Sequence, residues 1–431
     1  MSLSLIGIIV GLVVLIYLAF KGQSILWVAP VCATIVALFA LVEDPTINLI
    51  TMWTENYMAG MANFVQTWFP AFMLGAIYGK LMEVTGAAKS VGLFLTKIFG
   101  KKQAILAVVV ACGVLTYGGV SLFVVVFAIY PLAVACYREA DIPNKLIPGA
   151  IACGAFTFTM TALPGTPQIQ NIIPQQYYGT DAMAAPIMGV VAAIIMGVGG
   201  VIYMKWREAK LKAAGEHFHE PTNLMQFDES HLPNPIVSLI PLIAVPVLLN
   251  IVGFSLVGSL LGAVVLTMVL NYKNYKSFLQ CIGDGAGGAL MSVGNTAAAV
   301  GFGSVVKAVP GFAILTDILI NIKGSPLISE GIATTLLAGA TGSGSGGMSI
   351  ALEALGEKYL ATGVNPEALH RVCSIACGGM DTLPHNGAVI TLLSVCGLTH
   401  KDSYIDICVT CTILPLFALA VAIIMGMIGI I

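Results

Sequence analysis

Apolar runs of about 17 to 25 residues recur along the whole chain, and short polar or charged intervals separate them. Runs of this length predict helices that cross the hydrocarbon core of a bilayer. They lie at residues 3–20, 24–42, 62–86, 147–174, 183–204, 235–252, 256–271, 284–306, 368–397 and 404–430. We therefore expect an all-α polytopic membrane protein with about ten transmembrane helices, matching these ten runs.

Two further uncharged runs are interrupted by glycine near their centres. One lies near residues 103–137 with TYGG in its middle, and the other lies near 331–352 with GSGSGG. The first arm of the earlier run has about ten residues, which as a helix rise only about 15 Å, half of the hydrocarbon thickness. We predict that both runs are re-entrant hairpins, each preceded by a short interfacial helix, at 88–100 and 311–322.

The same short motifs occur in the same order in both halves of the chain. Ile-Ala-Cys-Gly stands at 151–154 and again at 375–378, and each copy is followed by Leu-Pro within an apolar run. We predict two repeats, 1–204 and 235–431, joined by a polar linker at 205–234. The runs at 147–174 and 368–397, broken at LPGTP and DTLPHNG, are the two discontinuous helices.

Basic residues predict the orientation, because the cytoplasmic flanks of membrane helices are enriched in Lys and Arg. With both hairpins re-entrant, only Lys307, Lys323, Lys358 and Arg371 of the 19 basic residues lie outside. In this layout the repeats are inverted, both termini are external and the linker is cytoplasmic. The hairpin near 103–137 then opens to the cytoplasm and the one near 331–352 opens to the exterior.

Composition narrows the class of protein. The chain is 58% hydrophobic and only 9% charged, so a bilayer must cover its apolar surface, and we expect the cell inner membrane. A net charge of -2 without a basic stripe argues against nucleic acid as a partner. The ten cysteines are scattered and form no zinc pattern with histidine, so we expect neither a metal nor another cofactor.

The interrupted helices carry the candidate chemistry. Backbone groups freed inside a membrane require protein or a wet cavity around them, and half-helix N-termini there favour an anion, here a small carboxylate. A packing seam or plain helix caps would explain the same residues without a substrate. The candidate substrate-binding residues are Thr116, Tyr117, Gly118, Gly119, Ser121, Thr161, Pro164, Gly165, Thr166, Asn171, Ser343, Gly344, Ser345, Gly346, Gly347, Ser349, Thr382, His385 and Asn386.

Asp381 and His385 are one helical turn apart by spacing and are the main candidates for proton coupling. Ionisable residues at membrane depth usually mark ion paths, and histidine changes protonation near neutral pH. Glu353, just beyond the second hairpin tip, is a further candidate. A structural Asp-His pair is the alternative, and we expect Lys307 and Arg371 at the outer interface.

These features predict a secondary active transporter of a small organic monocarboxylate, driven by protons. The alternatives are a sodium-coupled symporter, an anion exchanger, a channel or an intramembrane enzyme. An enzyme is disfavoured because the sequence has no zincin motif and no Ser-His-Asp arrangement. A channel is disfavoured because opposed hairpins in inverted repeats fit alternating access better.

Three long motifs, TALPGTPQIQNIIP, GATGSGSGGMSIALEALG and GGMDTLPHNGAVITLL, resemble the gluconate permease family of proton symporters. The resemblance covers almost the whole chain, and YYGTDAMAAP after the first motif looks closest to the 3-hydroxybutyrate permease branch. The family resemblance implies proton-driven uptake of sugar acids or short hydroxy acids. Its superfamily of ion transporters implies a homodimer with an elevator-type fold. Sodium-coupled relatives carry Ser-Asn-Thr at the hairpin tips, whereas Asn295-Thr296 lies outside them here.

Overall fold

The computed structural model describes residues 2–21, 23–100, 103–221, 232–320, 322, 324–384 and 386–431, and every regular element in these ranges is helical. We label the helices α1 to α21 in chain order. Those before the linker are α1 Leu3–Phe20, α2 Ile25–Glu43, α3 Leu49–Thr51, α4 Met58–Val84, α5 Ala87–Phe99, α6 Ala104–Tyr117, α7 Leu122–Glu139, α8 Ile147–Ala155, α9 Phe158–Thr161, α10 Ile169–Tyr178 and α11 Pro186–Ala213. Those after it are α12 Pro235–Asn250, α13 Leu256–Leu270, α14 Tyr275–Ala308, α15 Gly311–Ile320, α16 Pro326–Thr341, α17 Gly344–Ala361, α18 Pro366–Cys377, α19 Gly387–Val395, α20 His400–Cys408 and α21 Leu414–Met427.

The all-helical prediction is confirmed, and a helix stands at each predicted apolar run. Within the described residues, five helices are long and apolar enough to cross a membrane, namely Ile25–Glu43, Leu122–Glu139, Pro186–Ala213, Ser277–Ala308 and His400–Met427. Two π-helical turns join neighbouring helices without a break: Met52–Tyr57 joins α3 to α4, and Val409–Ile413 joins α20 to α21. The chain is therefore a multi-pass membrane protein.

The glycine-interrupted runs fold as two helical hairpins, α6–α7 and α16–α17, whose arms pack against each other. The arms are longer than predicted, because α6 continues to Tyr117 and its 14 residues rise about 21 Å. The chain turns at Gly119 in one hairpin (φ 89°) and at Gly342 in the other (φ 60°). Both values lie in the left-handed region, which glycine occupies without steric cost.

The long helices α4 and α14 pack antiparallel along much of their length, and glycines let their backbones approach. A Cβ on Gly60 would lie 2.1 Å from Ser304 Oγ, and one on Gly285 would lie 2.7 Å from Ile77 Cα. With 34 residues, α14 is about 51 Å long and exceeds the hydrocarbon thickness. The predicted run at 284–306 is thus the larger, C-terminal part of α14, and residues 275–283 before it are helical as well.

The predicted linker at 205–234 is not polar coil throughout, because α11 continues to Ala213. Residues 214–221 then contact the end of α7 through an ion pair of Glu220 with Arg138, and the loop after α7 through an ion pair of Glu216 with Lys145. His217 Nδ1 lies 2.7 Å from Asp141 Oδ2. Hydrogen bonds from His217 and from the Phe218 N–H hold the pKa of the Asp141 carboxyl below its ordinary value. These contacts order the first part of the linker.

Candidate functional site

A cavity of about 500 Å³ with several polar residues in its wall lies at the tip of hairpin α16–α17. Its volume suits a small ligand. The tip and the nearby break between α18 and α19 contribute Thr341, Gly342, Ser343, Gly344, Ser345, Asp381, Thr382, Asn386, Gly387 and Ala388. The opposite wall is formed by Leu122 and Phe123 at the start of α7 and by Ser292, Asn295 and Thr296 of α14.

The tip presents the N-terminus of α17 to this cavity. Gly342 ends α16 in the left-handed conformation, and Ser343 caps α17 by accepting a hydrogen bond from the Gly346 N–H at 3.2 Å. Backbone N–H groups at the start of a helix are unpaired and carry partial positive charge. The cavity-lining residues Gly344 and Ser345 therefore lie at the end of an 18-residue helix that favours negative charge.

Asn386 brings a second helix N-terminus to the same place. Its side-chain oxygen caps α19 by accepting from the Ala388 and Val389 N–H groups at 2.6 and 3.0 Å. Its amide nitrogen donates to the carbonyls of Gly342 at 2.8 Å and of Asp381 at 2.7 Å. One side chain thus ties the hairpin tip to the break, so that α17 and α19 both begin at the cavity.

Asp381 lines the cavity beside these helix ends and is only 5% exposed. A Cβ added to Gly344 would lie 2.8 Å from its Oδ2, so the carboxyl lies against the start of α17. Its Oδ1 has no hydrogen-bond partner among the described residues. An unpaired charge at such a buried position costs several kcal/mol. His385, predicted to work with Asp381, lies outside the described residues.

A second cavity of about 320 Å³ lies at the tip of hairpin α6–α7. Gly119, Ser121, Gln168 and the charged Lys80 and Asp284 contribute to its wall. It shares its boundary with the first cavity through Phe72, Leu122, Phe123, Met160, Ile169, Gln170 and Ser292. The two hairpin tips therefore face one cleft with a mainly apolar waist.

Hairpin α6–α7 is tied to the first break by side-chain hydrogen bonds. The Tyr117 hydroxyl donates to the Pro164 carbonyl at 2.9 Å, and the Gln168 amide donates to the Thr116 carbonyl at 2.6 Å. A Cβ on Gly118 would lie 2.5 Å from the Leu242 side chain of α12. Thr116, Tyr117, Gly118 and Pro164 thus make contacts within the protein.

The predicted site residues fall into two sets. Gly119, Ser121, Ser343, Gly344, Ser345, Asp381, Thr382 and Asn386 line one of the two cavities. Neither cavity wall includes Thr116, Tyr117, Gly118, Thr161, Pro164, Gly165, Thr166, Asn171, Gly346, Gly347, Ser349 or Glu353. Gly347 instead separates the arms of its hairpin, because a Cβ there would lie 2.1 Å from the Ala338 nitrogen. Glu353 lines another cleft, where it lies 3.7 Å from Lys307.

Arg371 does not lie at the outer interface as predicted, because it is fully buried. Its guanidinium donates to the Ala184 carbonyl at 2.6 and 3.1 Å and to Asn171 Oδ1 at 2.8 Å. His370 Nε2 lies 3.2 Å from the same oxygen of Asn171. Asn171, a candidate ligand, therefore links α18 to the first break through hydrogen bonds within the protein.

Several polar residues of the cleft wall were not predicted from the sequence. Gln168, Gln170, Ser292 and Thr341 were not singled out, and Asn295 and Thr296 were named only as lying outside the tips. Three of them could have been identified from the sequence, because Ser292, Asn295 and Thr296 are polar residues within one apolar run. Their spacing of three and four places them on one helix face.

Glycine-turned hairpins and broken helices around a cleft with polar residues in its wall, in an all-helical bundle, define a membrane transport protein. The chain belongs to the GntP permease family. The family model described as GntP family permease matches residues 3–293. The expected family is thereby confirmed, while the 3-hydroxybutyrate branch stays a prediction.

Relatives and a solved structure agree with this assignment. An uncharacterized transporter of Bacillus subtilis (strain 168), YxjC, is 41% identical over 94% of this chain and 95% of its own length. An uncharacterized permease of Haemophilus influenzae is 23% identical over 80% of this chain and 76% of its own length. The crystal structure of the Alcanivorax borkumensis YdaH transporter has a similar fold, with a TM-score of 0.56 and 14% identity over 86% of this chain and 87% of that one. The protein is thus a transporter and not an enzyme.

Proposed function

We propose that the protein is a proton-coupled symporter of a small organic monocarboxylate, such as 3-hydroxybutyrate or a gluconate-like sugar acid. The observation that carries this proposal is the meeting of two helix N-termini and the buried Asp381 carboxyl in one cavity. The helix ends attract a carboxylate, and Ser343 and Asn295 offer hydrogen bonds to a hydroxyl group. Phe72 and Phe123 form an apolar wall for a short carbon chain.

Asp381 supplies the coupling in this proposal. When ionised, it occupies the positive end of α17 and repels a second carboxylate. Two like charges about 4 Å apart repel by about 4 kcal/mol at the effective dielectric constant of such sites. Protonation of Asp381 removes this repulsion and frees the helix end, so that anion and proton bind together. His385, and Glu353 at greater distance, remain further candidates for proton exchange.

The pattern of helix contacts supports the proposed inverted repeats, 1–204 and 235–431, and alternating access by an elevator-type movement. Helix α2 packs on α14 while α13 packs on α4, and α1 packs on α15 while α12 packs on α5. Likewise α6 packs on α8 and α16 on α18. If each helix is replaced by its counterpart in the other repeat, the same helix contacts result, as a pseudo-two-fold axis requires. The proposal includes re-entrant hairpins, external termini, the inner membrane and a homodimer.

Uptake by proteoliposomes tests the function. Labelled 3-hydroxybutyrate, gluconate, lactate and citrate are offered with no ion gradient, with a pH gradient or with a sodium gradient. We expect one or more monocarboxylates to accumulate under the pH gradient alone and citrate to be excluded. Accumulation driven only by sodium would favour sodium coupling. Exchange without net uptake would favour an anion exchanger, and absence of counterflow would indicate a channel.

A further inference from the structure

Glu330 is a buried carboxyl that the proposed coupling does not use. It is the fifth residue of α16 and only 1% exposed. Its Oε1 is hydrogen-bonded to the hydroxyl of Tyr178, at the C-terminal end of α10. Its Oε2 has no hydrogen-bond partner among the described residues. Glu330 lines neither cavity of the substrate cleft, so it belongs to a separate site.

Among the residues that the structure describes, no cation interacts with the Glu330 carboxyl. Tyr178 of α10, Tyr359 of α17 and Cys373 of α18 are the titratable groups that interact with it. The Tyr359 hydroxyl is 2.8 Å from the hydroxyl of Ser329, the residue before Glu330. All of these groups are neutral in their ordinary protonation state near neutral pH.

The other helices against α16 supply no counter-charge either. Arg371 of α18 directs its donors to Asn171 and Ala184, and His370 of the same helix contacts Thr180 and Asn171. Lys358 of α17 is exposed and lies over the Phe312 ring. Helix α21 contains no ionisable residue, whereas Tyr17 of α1 and Asp317 of α15 are exposed. An ionised carboxylate without a partner at such a place costs several kcal/mol. Glu330 is therefore protonated in this conformation.

A proton released from Glu330 has only a short distance to travel to the end of α16. Four residue steps separate Glu330 from the start of α16, a rise of about 6 Å. Release breaks the carboxyl O–H bond and transfers the proton to water, and the carboxylate left behind accepts the O–H hydrogen bond of Tyr178. The unpartnered Oε2 gives that water a place to bind.

We propose that Glu330 is a second proton-binding site, so that two protons accompany each substrate anion, one on Asp381 and one on Glu330. This inference rests on the proposed proton symport. It places a proton in the arm of hairpin α16–α17 and outside the substrate cleft. Substrate binding and proton stoichiometry are then separable by mutation.

The test measures the accumulation ratio of 3-hydroxybutyrate in proteoliposomes whose membrane potential is clamped at zero. Each coupled proton multiplies this ratio about tenfold per pH unit. We expect about hundredfold per unit for the wild type and about tenfold for Glu330→Gln, with counterflow retained. Glu357→Gln, which removes an exposed glutamate of α17 on the other arm of the same hairpin, should match the wild type.

A slope of about tenfold per pH unit in the wild type overturns the inference, as does an unchanged slope in Glu330→Gln. If Glu330→Gln does not fold, Tyr178→Phe removes the hydrogen bond while keeping the carboxyl. The pH midpoint of its uptake should shift, and an unchanged midpoint would also overturn the inference. A wild type without any pH-driven accumulation refutes the proposed symport itself, which distinguishes the two failures.

Discussion

The proposed coupling depends on Asp381, because its carboxylate and the substrate carboxylate compete for the same helix N-terminus, that of α17. Its Oδ2 lies against Gly344, the first residue of α17, and its Oδ1 is unpaired among the described residues. A neutral side chain of the same shape would hold the site permanently in the form that accepts an anion. Binding would then no longer require a proton.

We therefore predict that Asp381→Asn keeps counterflow of the substrate but loses one proton of coupling. Its accumulation ratio at zero membrane potential should fall about tenfold per unit of pH gradient relative to the wild type. Asp317→Asn, at an exposed position, serves as the control. Undiminished pH-driven accumulation in Asp381→Asn would remove this residue from the coupling.

Residue roles were only partly predictable. Asp381, Ser343 and Asn386 were found because polar residues stand out where glycine and proline exclude a regular apolar helix. Glu330 was not singled out, because it directly precedes the uncharged run predicted as the hairpin at 331–352, where a glutamate is consistent with an interfacial position. Burial distinguishes these cases, and it depends on which helices pack against α16.

Among the elements, hairpin α16–α17 depends on small residues where its arms meet. A Cβ on Gly347 would lie 2.1 Å from the nitrogen and 2.2 Å from the Cα of Ala338 on the opposite arm. These are backbone atoms, so no side-chain rotation can relieve the overlap. The arms would have to separate and would move the capped tip that lines the cavity.

We predict that Gly347→Ala lowers the melting temperature of the purified protein and reduces uptake strongly. The expected destabilisation is at least the roughly 1 to 3 kcal/mol typical of overpacking. Gly287→Ala in α14 is the matched control, because a Cβ there meets nothing within 4 Å. Alanine in a helix interior is favoured over glycine by about 1 kcal/mol, so this control should be neutral or stabilising. Equal melting temperatures for both variants would contradict the packing argument.

Most elements could be predicted, because apolar length and glycine or proline interruptions mark membrane helices directly. Their ends were less accurate, as α11 and α14 show. Both continue into polar sequence, where the hydrophobic pattern stops but helical hydrogen bonding does not. The length of the first arm of hairpin α6–α7 was also underestimated, since α6 continues through Thr116 and Tyr117 of the predicted TYGG break.

At the scale of the whole molecule, α4 and α14 have corresponding places in the two proposed repeats and pack against each other. Helices α11 and α21, which end the two proposed repeats, also pack against each other. Elements that contact their own counterparts are those nearest to a pseudo-two-fold axis. Motion of the hairpins against the α4–α14 pair would then expose the cleft alternately to the two sides.

Inverted repeats require that the two hairpin tips face opposite sides of the membrane. Ser121 and Ser343 are half-buried and line the cavities at the two tips. We predict that Ser121→Cys reacts with a membrane-impermeant maleimide in inside-out vesicles and that Ser343→Cys reacts in right-side-out vesicles. The wild type is the background control, since eight of its ten cysteines are buried. Substrate should slow both reactions, because both tips border one cleft. Reaction of both variants from the same side, with and without substrate, would contradict the inverted arrangement and leave the hairpins unable to alternate access.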